Sequence, residues 1–113
     1  MRIELTEADG LSTITLHGDI NGRTAPQLEE RLVPLIEPHA RFVLDMTHVS
    51  YMSSAGLRLL LLLYRKIDRV SGRIVLACLP EMVHDTMAIT GFLDFFDTYP
   101  TVALGQEAVA ATP

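Results

Sequence analysis

Cysteine is nearly missing from this chain. Cys78 is the single one among 113 residues, so an internal disulfide is excluded. It lies in the apolar run Ile74-Val75-Leu76-Ala77-Cys78-Leu79, where a free cysteine reads as a buried, inert thiol. Cations are scarce as well. Nine Lys and Arg against fourteen Asp and Glu give a net charge of −5. That balance argues against a nucleic-acid partner and, more weakly, against an anionic membrane. The apolar run Leu59 to Leu63 is far too short to span a bilayer. Met1-Arg2-Ile3-Glu4 opens straight into alternating residues, so no signal peptide is expected and the expected location is the cytoplasm.

The familiar chemical motifs are also absent. There is no phosphate-binding glycine loop of either common kind. A serine on a strand-to-helix turn suggests the nucleophile elbow, but Met52 occupies the first glycine position of that motif, and the downstream His84 has no evident acid to orient it. His17, His39, His48 and His84 stand in separate elements without metal-ligand spacing, so they read as solvated histidines. No metal, no cofactor and no catalytic activity are expected.

What is present is an apolar content of 49%, enough for a real core in one domain spanning residues 1–113. Ile3 and Leu5 alternate with polar residues as in a strand. Ala8-Asp9-Gly10 supplies a turn, and Leu11, Ile14 and Leu16 form a second strand, so the pair reads as a hairpin. His17 to Arg23 reads as a loop. A helix begins at Thr24-Ala25-Pro26-Gln27, with Thr24 and Gln27 spaced as a capping box. Its buried stripe is Leu28, Leu32, Leu35 and Ile36; Pro34 weakens its last turn, and Pro38 closes it.

Arg41 to Asp45 is apolar without alternation, as in a central strand covered on both faces. Asp45, at its end, reads as structural. A long helix runs from about Ser54 to Val70 and ends at Ser71-Gly72. Arg73 to Cys78 is a further strand. Pro80-Glu81 opens a helix carrying Met82, Val83, Met87 and Ile89, which stops at Gly91. Phe92 to Phe96 includes a short last strand, and Val102 to Ala111 forms a weak, fraying helix. The order β-β-α-β-α-β-α-β predicts a mixed α/β fold: a mostly parallel sheet of four or five strands, one antiparallel hairpin and three or four helices.

The segment Tyr51-Met52-Ser53-Ser54-Ala55-Gly56-Leu57 holds the most chemical interest. Two hydroxyls sit where a helix begins, at unpaired N–H groups and the positive end of the helix dipole. That place suits a capping hydroxyl and a phosphate equally. Bulky residues precede the serines, and Ala55-Gly56 leaves the helix start bare enough for a macromolecule to approach. Along the helix, Leu60, Leu63, Tyr64, Ile67 and Val70 gather on one side, with Arg58, Arg65, Lys66 and Arg69 on the other. Leu62 falls among those cations and is a candidate docking residue.

The stretch Asp45-Met46-Thr47-His48-Val49-Ser50-Tyr51-Met52-Ser53-Ser54-Ala55-Gly56-Leu57-Arg58 resembles the signature of STAS domains, specifically bacterial anti-sigma factor antagonists. Gly18-Asp19-Ile20-Asn21 is similar to that family's loop after the second strand, and Thr90-Gly91-Phe92 to its motif after the third helix. The resemblance implies a STAS fold and a partner switch. The unmodified antagonist binds an anti-sigma factor that is also a serine kinase of the histidine-kinase-like ATPase type, which frees a sigma factor. Phosphorylation parts the complex, and a PP2C-like phosphatase reverses it. The resemblance puts the phosphorylated serine at Ser54. It makes Ser53, Asn21, Asp19, Gly56, Leu57, Arg58 and Leu62 the partner-binding candidates. Ser53 and Asn21 stand where many members carry aspartate. The alternative role within the family is an accessory subunit of an ABC transporter or a larger signalling assembly, without serine phosphorylation.

Overall fold

A computed structural model describes residues 1–111 as a five-stranded sheet with four helices. The strands are β1 (Arg2–Ala8), β2 (Leu11–His17), β3 (Arg41–His48), β4 (Arg73–Ala77) and β5 (Asp97–Tyr99), lying side by side in chain order. β1 and β2 form the antiparallel hairpin, and every later pair is parallel. The helices are α1 (Ala25–Leu32), α2 (Ser54–Arg69), α3 (Glu81–Thr90) and α4 (Val102–Ala110). Among the described residues no helix is long and apolar enough to cross a membrane.

Strand alternation divides the core in two. Phe42, Leu44, Met46, Ile74 and Leu76 face α1, α2 and α3, where Leu28, Leu32, Leu60, Leu63, Ile67, Val83 and Met87 meet them. Val43, Val75 and Ala77 point to the other face, where Val109 of α4 covers them. This two-sided cover is the physical reason that β3 lacks polar alternation.

Several local expectations are corrected. Thr24 makes no capping bond of the expected kind. Its hydroxyl donates to the Asp19 carbonyl at 2.7 Å, while Gln27 accepts from the amino group of Met1. Pro34 lies in a 3-10 turn over Val33–Leu35, and Leu35 and Ile36 are only half-buried. His17 extends β2 and does not open a loop. Phe92–Phe95 is a 3-10 turn, and the last strand follows it at Asp97–Tyr99.

On α3 the core takes Val83 and Met87, whereas Met82 and Ile89 are exposed. Cys78 falls just outside β4, half-buried, with a left-handed backbone at φ 58°, and packs at the edge of the second core rather than inside it. α4 is a docked helix: Val109 is fully buried, and Arg73 donates to the Ala108 carbonyl at 2.9 Å and to Asp97 at 2.7 Å. Burial of the Arg73 stem and its bond to Asp97 oppose each other, and the bond prevails, holding the guanidinium above its ordinary pKa.

Candidate functional site

Two loops at the C-terminal ends of β2 and β3 run side by side. Gly18 N–H donates to the His48 carbonyl at 3.0 Å, Ile20 N–H to Tyr51 at 2.9 Å, and Ser53 N–H to Ile20 at 2.9 Å. Ser50 Oγ donates to the Asp19 carboxylate at 2.8 Å. Four bonds therefore join the loops into one ledge, and α2 rises from it. Ligand sites favour this end of a parallel strand in open α/β sheets.

Ser53 and Ser54 have separate tasks. Ser53 has extended backbone and is the N-cap of α2; its hydroxyl accepts the Gly56 N–H at 3.4 Å, a long and weak bond. Ser54 is the first helical residue and is exposed. Its hydroxyl has no bonded partner among the described residues. The helix contributes a positive end there and no acidic side chain in its first turn.

Gly56 and Leu57 face inward. A Cβ at residue 56 would lie 2.7 Å from the Ile20 carbonyl oxygen and 2.9 Å from Met52 Cγ. The glycine thus admits the neighbouring loop beneath the helix, and the bareness expected to serve an approaching macromolecule serves internal packing. Leu57 is 4% exposed and belongs to the core. Both shape the ledge from below and offer little surface.

Asp19 and Arg58 are exposed, Asp19 on the ledge and Arg58 one helical turn beyond Ser54. Asn21 is half-buried and fixes the entry to α1: its Oδ1 accepts the N–H groups of Arg23 at 2.9 Å and Thr24 at 3.1 Å. Leu62 is half-buried and packs against the core edge, so it is less exposed than its basic neighbours suggest. Asp45 accepts the Thr47 N–H at 3.1 Å, a local structural bond, as expected.

Two features escaped the sequence. Tyr51, half of whose surface is open, stands on the ledge just ahead of the serines, while Met52 turns inward. His17 and His48 are not separate solvated groups: their rings stack at 4.5 Å, six degrees from parallel. His17 Nε2 is buried without a hydrogen bond and lies 3.5 Å from Glu4. The hydrogen bond and charge of Arg2, with a smaller part from His17, hold the Glu4 carboxyl below its ordinary pKa. Among the described residues no cluster of three or more His, Cys, Asp or Glu could hold a metal ion.

The family model of the STAS domain matches residues 2–105. BtrV of Bordetella bronchiseptica, whose name gives it as a candidate anti-sigma factor antagonist, is 37% identical, with 98% of this chain and 93% of that one covered. The anti-sigma-B factor antagonist of Bacillus subtilis is 29% identical over 86% of this chain and 89% of its own. The anti-sigma factor antagonist SpoIIAA in its unphosphorylated form superposes with a TM-score of 0.81 at 20% identity, covering 96% of each chain. A phosphorylated form of Bacillus SpoIIAA superposes with a TM-score of 0.73 at 19% identity, covering 96% of this chain and 99% of that one. With its two-loop ledge, its mixed five-stranded sheet and a match over almost its whole length, this chain belongs to the STAS domain family.

Proposed function

We propose that this chain is an anti-sigma factor antagonist and that Ser54 is its switch. In the unmodified state it binds an anti-sigma factor that is also a serine kinase, and so releases a sigma factor. Phosphorylation of Ser54 ends that binding, and a serine phosphatase restores it. The chain is a substrate in this cycle and performs no catalysis of its own. The observation that carries the reading is the Ser54 hydroxyl: exposed, unbonded, and mounted on the first residue of α2. The names of BtrV and the Bacillus subtilis relative support the partner class. That SpoIIAA has been solved in unphosphorylated and phosphorylated forms supports the modification.

The chemistry is consistent. A phosphoryl group adds about −1.5 to −2 charges and three acceptor oxygens. The helix end tolerates that charge, because N–H groups and the dipole face it. Ser53 already spends its hydroxyl on the cap, so modification of Ser54 costs the helix no capping bond. The partner surface has no such tolerance. A desolvated, unpaired charge at an interface costs several kcal/mol, and each ~1.4 kcal/mol is tenfold in affinity. A loss of about a hundredfold or more follows without a change of fold.

The test is intact-mass measurement after incubation with the cognate kinase and ATP, followed by mapping of the modified residue. One added phosphoryl group on Ser54, absent from Ser54→Ala, is the expected result. Modification elsewhere, or none, would reject Ser54.

A further inference from the structure

The outward face of α2 continues the Ser54 surface along the helix. Ser54, Arg58, Leu62, Arg65 and Arg69 fall within a sector of about 80°, in a row roughly 23 Å long. Arg58, Arg65 and Arg69 are exposed, and Lys66 flanks them, half-buried. None of these four cations forms an ion pair among the described residues. They are four of the chain's nine Lys and Arg, on a molecule of net charge −5. The dipole accounts for Lys66 and Arg69 in the last turn. It does not account for Arg58, one turn from the positive end, nor for Arg65 next to Lys66. Asp68 at the edge of the row is the only anion α2 itself supplies.

Beside this row, between α1 and α2, lies a groove of about 360 Å³. Ala25, Pro26, Ala55, Leu59 and Leu62 line it, with Glu29 and Arg58 among its walls. Ala55 adjoins Ser54, so the groove opens at the switch itself.

We infer that this row and groove seat an acidic segment of the anti-sigma factor, with one apolar side chain in the groove and carboxylates against Arg58, Arg65 and Arg69. The inference rests on the Ser54 reading and gives it a sign. Charge complementarity selects the occupant: the cations have no ion-pair partners among the described residues, and a second copy of this chain would set the same basic face against itself in a two-fold pair. A phosphoryl group on Ser54 stands one turn from Arg58, at the head of the row. It cancels that cation and repels the incoming carboxylates. Repulsion between exposed charges weakens as salt rises.

The experiment titrates the purified cognate anti-sigma factor against the full chain at about 0.05 M and about 0.5 M salt. The variants are Arg65→Glu/Arg69→Glu, Arg65→Lys/Arg69→Lys, Leu62→Ala, Ser54→Ala and Ser54→Asp. The double Glu variant should bind at least tenfold more weakly at low salt, chiefly through a slower on-rate, and the gap should shrink at high salt. The double Lys variant should stay within about threefold of wild type, as a row read for charge requires. Leu62→Ala should lose affinity at both salts. Arg65 and Arg69 form no ion pair among the described residues, so the double Lys variant should melt like wild type; the double Glu variant, which puts two anions at the negative end of α2, should melt slightly lower and stay folded at the temperature of the titration. If the double Glu variant and Leu62→Ala bind like wild type while Ser54→Asp does not, the docking surface is wrong and the Ser54 switch stands. If Ser54→Ala and Ser54→Asp bind alike, the switch is wrong. A double Glu defect that persists alongside that result would retain the docking surface and remove its link to phosphorylation.

Discussion

α2 and α4 begin in the same way and end with different uses. Each follows a strand, and each starts on a hydroxyl cap: Ser53 accepts the Gly56 N–H at 3.4 Å, and Thr101 accepts the Leu104 N–H at 3.1 Å. They part at the next residue. In α4 it is Val102, packed against the second core. In α2 it is Ser54, exposed and unbonded. Each helix also presses a glycine inward, Gly105 on the sheet and Gly56 on the loops that hold Ile20 and Met52. A Cβ on Gly105 would meet only side-chain methyls, the nearest at 3.2 Å, whereas one on Gly56 would strike a backbone carbonyl at 2.7 Å. The α4 start turns its first residue, Val102, toward the core and leaves no hydroxyl beyond the cap. The α2 start is locked from beneath and open above. A hydroxyl on so rigid a mount can be esterified without disturbing what holds it.

Four substitutions test this contrast by denaturant unfolding. Gly56→Ala should destabilise most: about 1–3 kcal/mol of overpacking, only partly offset by up to ~1 kcal/mol of helix propensity. The Ile20 carbonyl it strikes is held by the Ser53 N–H and cannot yield alone. Thr101→Ala should come next, at about 1 kcal/mol for a lost cap. Ser53→Ala should cost less, a few tenths of a kcal/mol, because its bond is long. Gly105→Ala should be nearly neutral, within about 0.5 kcal/mol, since valine methyls can give way and alanine favours the helix. A stable Gly56→Ala beside an unstable Gly105→Ala would invert the comparison.

Much of this arrangement was legible in the sequence, and the exceptions have physical causes. The run Phe42-Val43-Leu44 announces a strand covered on both faces, and Ser53-Ser54 announces the start of α2. Both signals are local, and both survive in the fold. The His17–His48 stack is not local. The β2–β3 register pairs Thr15 with Asp45, then shifts, so that His17 pairs with His48. Without that irregularity His17 would oppose Thr47, and no count along the chain predicts the slip. On α3, Met82 and Ile89 form one apolar row and Val83 and Met87 another; only the packing decides which row goes inside. The last helix is short and carries Val102, Gly105 and Val109, which lower its propensity, and its order comes from distant partners, Val43, Val75 and Arg73. At the site, the exposure of Ser54 followed from its place after the cap. The inward turn of Gly56 and Leu57 did not, because it depends on a loop thirty-odd residues earlier, which includes Ile20.

The most direct measurement is the affinity of the chain phosphorylated at Ser54, and of the unmodified chain, for the cognate anti-sigma factor, with the melting temperature of each. A Kd raised by about a hundredfold or more, with the two melting temperatures within about 2 °C, is the expected pair of results. Equal affinities, or a loss of binding accompanied by unfolding, would contradict the account.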